Sequence, residues 1–490
     1  MISFTLYQIA KAIDGQLIGH DRKADFVFTD SRLDKSKIEE GHGLFVALKG
    51  ENFDAHQFVK DVSKNDIAGV IVEQQCEINL PQIIVKDTRI ALGELAKLNR
   101  SASNAKFVAV TGSCGKTTVK EMLASILTLS GSTHATRGNF NNDIGAPLTL
   151  LEIDQSIDFG VIELGANHER EIAYTSGITQ PDVALVNNVT AAHLQGFGDL
   201  QGVATAKSEI YSSLTNNGVA IINADDEFSS YFEGKVNSKK ILFSVKGESD
   251  VFASNILINS DQSTSFDLNY QQRKIHITLP LVGAHNVSNA LAAASCCIAL
   301  GISLKTVAQG LENSPVVSGR LMVSQLSNGC RVIDDSYNAN LASVKAAIDL
   351  LANYSSPTIL VLGDMGELGE LSRQYHQQVG EYARSKGVNK LFTYGELTKS
   401  SQLAYSHKKI SNEDFELSDT SLLNHFSEQQ KLIIKLIKEA NEGVTILVKG
   451  SRSAHMENIV KALLENSKLK ELNEFSNEMV DNSASLVGEQ

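Results

Sequence analysis

The stretch that most constrains this chain is an apolar strand, Phe107-Val108-Ala109-Val110, that runs into Thr111-Gly112-Ser113-Cys114-Gly115-Lys116-Thr117-Thr118. A helical run from Val119 to Leu129 follows, closed by Gly131. Strand, glycine loop and helix in this order form the start of a βαβ unit, which commits the surrounding chain to a parallel sheet with helical crossovers. Glycines let backbone N–H groups approach phosphate oxygens, and the helix N-terminus adds its dipole. Lys116 can neutralise β- and γ-phosphate charge, and Thr117 can ligate Mg2+. Val110 stands where the longer phosphate-loop pattern has its first glycine, so this is the short G-x-x-G-K-T form. The bland reading is a βα turn that happens to contain Gly-Lys-Thr; the flanking strand and helix favour a phosphate site.

The same alternation continues through Phe159–Leu164, Val183–Val186 and Val219–Ile222, the pattern of βαβ units. Residues 240–280, with Val251-Phe252 and Lys274 to Thr278, read as antiparallel strands that extend the sheet or form an insertion. A second parallel series follows at Thr358–Leu362, Lys390–Thr393 and Val444–Val448. Ahead of the loop, Gly43 to Leu48 and Ala68 to Val72 lie among polar turns and form a small α/β unit. At 490 residues the chain is too long for one core, since single cores stop growing at roughly 250 to 300 residues. The expected fold is α/β with three domains. Residues 1–85 form a small N-terminal α/β domain, 86–315 a central P-loop-type domain with a mostly parallel sheet, and 316–465 a C-terminal Rossmann-like α/β domain; 466–490 are a polar tail.

A net charge of −13 argues against a general nucleic-acid-binding surface but leaves room for a local basic pocket. The longest nearly unbroken apolar run, Leu291 to Leu300, is far shorter than the ~20 residues of a membrane span, so no membrane insertion is expected. Met1 to Gly15 lack a basic segment followed by an apolar one, which points to the cytoplasm. The five cysteines (Cys76, Cys114, Cys296, Cys297, Cys330) have no metal-ligand spacing and read as free thiols.

The short loop resembles that of the Mur ligases and folylpolyglutamate synthases. Thr136 to Leu148, with Asn141-Asn142 before Gly145 and Pro147, is similar to the family's Asn-Asn-x-x-Gly-x-Pro segment. So are Glu163-Leu164-Gly165-Ala166, Asn187-Asn188-Val189 with His193, Ala206-Lys207-Ser208-Glu209-Ile210, and Gly283-Ala284-His285-Asn286 through Asn289-Ala290. Asp334-Asp335-Ser336-Tyr337-Asn338-Ala339-Asn340, Leu362 to Glu370, and Lys449-Gly450-Ser451-Arg452 resemble the member that adds D-alanyl-D-alanine. The Asp-Asn-Pro-Arg motif usual in the diaminopimelate-adding relative is missing. Two positions depart from the pattern: Ala55 stands where Asp-Gly-His is usual, and Leu341 replaces the proline that commonly follows Asn-Ala-Asn.

The resemblance implies an ATP-dependent ligase that joins D-alanyl-D-alanine to UDP-N-acetylmuramoyl-tripeptide through an acyl phosphate, working with Mg2+ as a monomer. It assigns ATP to Gly112, Ser113, Cys114, Gly115, Lys116, Thr117, Thr118, Asn289, Arg320 and Asp335, with Asn289 at the adenine, Arg320 at the γ-phosphate and Asp335 at the ribose. It places metal at Thr117, Glu163, His193 and Lys207, the lysine carbamylated. Lys116, Lys207, His193 and Arg320 form the catalytic set. Ser31 and Arg32 meet the UDP end, and Asn338, Asn340 and Asp364 the dipeptide. By residue chemistry alone, Lys207 reads first as a solvated helix lysine and His193 as a core or surface histidine, and either Arg320 or Asp335 could be a surface charge. Two rival functions stand beside this one: another amino-acid-adding ligase, such as the diaminopimelate- or lysine-adding type, or a folylpolyglutamate synthase; and a nucleotide-binding protein without turnover.

Overall fold

Each stretch of alternating apolar runs becomes its own sheet. The computed structural model describes residues 1–32, 42–50, 53–192, 194–355, 357–406 and 424–467. The first sheet holds β1 (Gln16–Ile18), β2 (Phe26–Phe28), β3 (Gly43–Val46), β4 (Gly69–Val72) and β5 (Gln82–Ile84), in the order β1-β5-β4-β3-β2. Only the β1–β5 pairing is antiparallel. Ala55, in place of the usual glycine, opens a short 3-10 helix in an ordinary conformation. Asp54 holds that turn by accepting from His56 N at 2.9 Å, and the His56 ring donates back to Asp54 at 2.6 Å while accepting from Glu73 N at 2.9 Å.

Helix α1 (Thr88–Ala102), capped by the Asp87 carboxylate, leads into the second sheet. Its strands are β6 (Lys106–Thr111), β7 (Thr133–Ala135), β8 (Phe159–Glu163), β9 (Val183–Val186), β10 (Val219–Asn223), β11 (Lys239–Ser244), β12 (Val251–Ile258), β13 (Thr264–Tyr270) and β14 (Arg273–Leu279). They run in the order β7-β8-β6-β9-β10-β11-β12-β13-β14. The sheet is parallel from β7 to β12, and only β12–β13–β14 form an antiparallel meander. The antiparallel region therefore extends the sheet and begins at Val251, not near residue 240 as expected. Phe107 to Val110 are fully buried, as strands covered on both faces must be.

Helix α2 (Lys116–Thr128) carries the residues that follow the glycine loop. It packs in one apolar core with α3 (Ala284–Ala299) and α4 (Leu304–Glu312). The run of alanines and cysteines from Ala290 to Cys297 is small enough for α3 to lie fully buried there. Gly310 of α4 comes so close that a Cβ would lie 2.4 Å from Ile126 Cα. This close packing fixes the direction of α2 and of the N–H groups at its start.

The third sheet contains β15 (Met322–Gln325), β16 (Arg331–Asp335), β17 (Thr358–Gly363), β18 (Lys390–Tyr394), β19 (His425–Phe426) and β20 (Thr445–Lys449), in the order β15-β16-β20-β17-β18-β19. It is parallel except at β15–β16. Strand β16 was not expected from the apolar runs, because three of the five residues of Arg331-Val332-Ile333-Asp334-Asp335 are charged. Helix α5 (Leu341–Ala352) follows it. The chain packs as two compact units: Met1–Val189 with Ala204–Pro315, and Thr190–Val203 with the chain from Val316 onward. The expected polar tail falls on residues 468–490, outside the described residues, apart from 466 and 467, which end a helix over 457–467. All five cysteines are free. Among the described residues no helix is long and apolar enough to cross a membrane.

Candidate active site

The loop between β6 and α2 turns on two glycines that no other residue could replace cheaply. Gly112 has φ +153° and Gly115, the N-cap of α2, has φ +77°. A Cβ on Gly115 would lie 2.4 Å from Asn289 Oδ1 and 2.7 Å from Asn187 Nδ2. Gly115 also has no side chain to compete for the first-turn N–H groups of α2, which suits an anion. Lys116 folds over its own loop and donates to Gly112 O at 2.8 Å.

A set of asparagines holds this loop from below. Asn188 accepts from Cys114 N at 2.8 Å and donates to Cys114 O at 3.1 Å, while its carbonyl takes the Ser113 N–H at 3.0 Å. Asn187 Nδ2 donates to Cys114 O and to Asn289 Oδ1, both at 2.9 Å. Asn223 donates to Asn187 O at 3.0 Å. Asn289 in turn donates to Asn286 Oδ1 at 3.2 Å, and Asn286 to Val282 O at 3.0 Å. Asn289, expected at the adenine, therefore has both ends of its carboxamide engaged within the protein, tying α3 to the loop. The bracing role of Asn187, Asn188 and Asn223 was not read from the sequence; paired asparagines at the end of a parallel strand were the available signal.

Beside the loop, the Val110–Glu163 register brings the end of β8 level with the end of β6, and Thr111 Oγ1 donates to Leu164 O at 2.7 Å. Glu163 is buried at this carboxyl edge, where open parallel sheets bind ligands. Its Oε1 accepts from Asn141 Nδ2 at 2.8 Å, and its Oε2 is buried with no hydrogen-bond partner. Lys207 is fully buried, and its pKa is pushed down to about 7, first by burial and second by the Lys116 ammonium. His193 lies outside the described residues.

In the other unit, Asp335 and Lys449 are register partners at the ends of β16 and β20. Their side chains pair at 2.5 Å, and Lys449 also donates to Asn338 O at 2.9 Å. Burial raises the Asp335 pKa, and the Lys449 and Arg320 charges offset part of that rise. The Arg320 guanidinium stacks 4.5 Å from the Tyr337 ring centroid, with Arg452 at 5.9 Å from the same ring. Gly319, at φ +73°, lets the chain close on Tyr337, whose N–H donates to Gly319 O at 3.1 Å. Lys449 and Tyr337 thus organise the expected Arg320 and Asp335, although the sequence reading gave neither a role.

All three expected dipeptide residues have structural work. Asn340 caps α5: its Oδ1 accepts from Ser343 N at 2.9 Å, and its own N–H donates to Ser343 Oγ at 3.0 Å. Leu341, in place of the usual proline, is the first residue of α5 and keeps this cap intact. Asp364 Oδ1 accepts from Thr398 N at 2.9 Å, while Asn338 Oδ1 accepts from Ala339 N at 2.8 Å. Asn340→Ala is expected to lower stability by about 1 kcal/mol, as loss of an N-cap does. Chemical denaturation measures this, and an unchanged midpoint would remove the capping assignment. In the first sheet's unit, Arg32 is exposed and folds back on Asp30, with Nε at 2.9 Å and Nη2 at 2.8 Å, next to Ser31. These bonds hold the Asp30 carboxyl down to about 2.

Known proteins share this layout. Residues 110–297 match the Mur ligase middle domain, and residues 319–452 the Mur ligase glutamate ligase domain. A UDP-N-acetylmuramoyl-tripeptide--D-alanyl-D-alanine ligase of Escherichia coli (strain K12) is 45% identical over 470 residues, covering 95% of this chain and 99% of its own. The chain belongs to the Mur ligase family. A crystal structure of MurF from Acinetobacter baumannii superposes with a TM-score of 0.85 at 37% identity, covering 94% of this chain and 99% of that one. The MurF ligase from Thermotoga maritima in complex with ADP shares the fold, with a TM-score of 0.78 at 24% identity over 91% of this chain and 99% of that one.

Mur ligases imply a divalent metal, and the residues of this one fit it. Glu163 presents a buried carboxylate oxygen with no protein partner at the mouth of the loop, which is what a hard cation needs. Thr117 adds a hydroxyl at the second residue of α2. Among the described residues no group of three His, Cys, Asp or Glu side chains is placed to hold a metal ion by itself. An unmodified Lys207 would repel a cation, whereas its carbamate would supply the missing oxygen anion.

Proposed function

We propose that this Mur ligase joins D-alanyl-D-alanine to UDP-N-acetylmuramoyl-tripeptide with hydrolysis of ATP to ADP and phosphate, acting as a cytoplasmic monomer in peptidoglycan precursor synthesis. The observation that carries the reading is 45% identity with a ligase of that name across nearly the whole of both chains.

A carboxylate does not react with an amine near neutral pH, because its leaving group is poor. Transfer of the ATP γ-phosphoryl group to the tripeptide carboxylate supplies an acyl phosphate. The loop N–H groups and Lys116 hold the phosphates, so that charge moving in the transfer meets fixed donors. Arg320 is assigned to the γ-phosphoryl oxygens and Asp335 to the ribose. Ser31 and Arg32 are assigned to the UDP end, and Asn338, Asn340 and Asp364 to the dipeptide. Mg2+, when held by Thr117, Glu163, His193 and carbamylated Lys207, supplies positive charge to the phosphoryl oxygens. The dipeptide amine, once deprotonated, attacks the acyl carbon, and the tetrahedral intermediate collapses to amide and phosphate.

Phosphate release by the purified protein with Mg-ATP and the UDP-tripeptide, with and without D-alanyl-D-alanine, tests the reading. Release that needs both substrates, with a product heavier by the dipeptide, is the expected result. Turnover with a single amino acid in place of the dipeptide would overturn it.

A further inference from the structure

The Asn141 carboxamide lies directly against the backbone of Gly165. A Cβ on Gly165 would fall 2.9 Å from Asn141 Oδ1 and 3.0 Å from its Cγ, so the contact exists only because residue 165 has no side chain. The Gly165 N–H donates to Asn141 O at 2.8 Å, which locks the two segments backbone to backbone. From this seat Asn141 Nδ2 reaches Glu163 Oε1 at 2.8 Å. The Glu163 backbone is held separately, its N–H donating to Thr136 Oγ1 at 3.0 Å. Buried Lys120 donates to Thr136 O at 2.7 Å and so fixes that residue in turn.

One oxygen of a buried carboxylate is thus spent on an amide, and the other has no protein partner. A carboxylate with both oxygens free can rotate about its last bond and can bind a cation through either oxygen or both. Fixing Oε1 removes that freedom and leaves Oε2 as the one oxygen to offer. Partners of this kind, which orient a metal-binding side chain without touching the metal, typically change metal affinity by about 10- to 100-fold when removed.

We infer that Asn141 is a positioning residue for the metal-binding carboxylate Glu163, and that Gly165 serves the same role by making room for the Asn141 amide. This rests on the reading of Glu163 as a metal ligand. Asn141→Leu keeps the size of the side chain and removes the N–H donor. Gly165→Ala leaves Asn141 chemically intact and pushes it off its seat. Each is expected to weaken binding of the divalent cation about 10-fold, and the double variant no further than either alone, since both break one contact.

The test is titration of Mn2+ into the full-length protein with saturating ADP, followed by electron paramagnetic resonance, with Glu163→Gln as the control and thermal melts to confirm folding. The Mg2+ concentration for half-maximal turnover should rise in parallel, with kcat at saturating Mg2+ much less affected. Rescue of activity by high Mg2+ in both single variants supports positioning, because a defect in the peptide or nucleotide sites would not be relieved. If Glu163→Gln weakens Mn2+ binding and the Asn141 and Gly165 variants do not, the inference fails while the metal reading stands. If Glu163→Gln also binds Mn2+ normally, the metal reading itself fails. Should Gly165→Ala not fold, Asn141→Asp replaces it: the same shape with an acceptor facing Glu163 must weaken Mn2+ binding at least as much as Asn141→Leu, and unchanged binding overturns the inference.

Discussion

Lys116→Met should cut turnover by about 1,000-fold or more while leaving the fold intact. The lysine is the first residue of α2, with its ammonium over the loop at 2.8 Å from Gly112 O. Charge placed on a moving phosphoryl group by one cationic side chain is worth about 10^3 to 10^5 in rate in related chemistry. The effect on stability has the opposite sign, because a positive charge at a helix N-terminus opposes the helix dipole by about 0.3 to 1 kcal/mol. Methionine keeps the length of the stem and removes that repulsion. It also lifts the like charge that helps depress Lys207. A variant that melts at or slightly above the parent temperature and releases phosphate at background rate is the expected pair of results. Turnover within tenfold of the parent would remove Lys116 from the phosphate site.

On the proposed reading of Lys207 as a metal-binding carbamate, Lys207→Met should likewise lose activity by about 1,000-fold, and it should gain stability near neutral pH. The free amine has a pKa of about 7 in the folded chain, against an ordinary 10.5. Between these values the unfolded chain binds more protons than the folded one, so the stability of the parent rises with pH across that window and carries the full penalty below about 7. The gap corresponds to a penalty on the order of 5 kcal/mol at 1.36 kcal/mol per pKa unit. The variant, having no such group, should be more stable than the parent at pH 7, with the advantage shrinking toward pH 10. Denaturation at several pH values, without Mg2+ and in buffer stripped of bicarbonate, measures this. The same depressed pKa leaves a neutral amine near pH 7, the form that reacts with CO2, so 13C-labelled bicarbonate should give a carbamate resonance in the parent and none in the variant. A variant with parental turnover would sink the carbamate assignment, and a stability difference independent of pH would sink the explanation by burial.

The loop ahead of α2 was legible as sequence because its shape is carried by one local segment. Gly112 to Thr118 specify a loop whose two glycines need conformations open to few other residues, and the apolar strand ahead of them places it at a sheet edge. The β6–loop–α2 order is what that segment implied, and the structure adds the positive φ of Gly112 and Gly115. Strand β16 escaped because Arg331, Asp334 and Asp335 break up its apolar residues with charge; Asp335 pairs across the sheet with Lys449, and Asp334 accepts locally from Ser336. The capping bond of Asn340 was not read from the sequence, since a short amide before a helix start suits a ligand contact as well as a cap.

By itself the sequence determined the α/β class, the strand–glycine loop–helix order around Gly112 to Thr118, and the family, because these rest on residue order and on conformations that few residues can adopt. Only the tertiary structure decided which side chains serve those residues. Asn187, Asn188 and Asn289 brace the loop from two different elements, Asn141 sits on Gly165 to hold Glu163, and Lys207 has its pKa lowered by burial beside Lys116. Each depends on distance and desolvation between segments up to about a hundred residues apart, and those quantities exist only once the chain has packed.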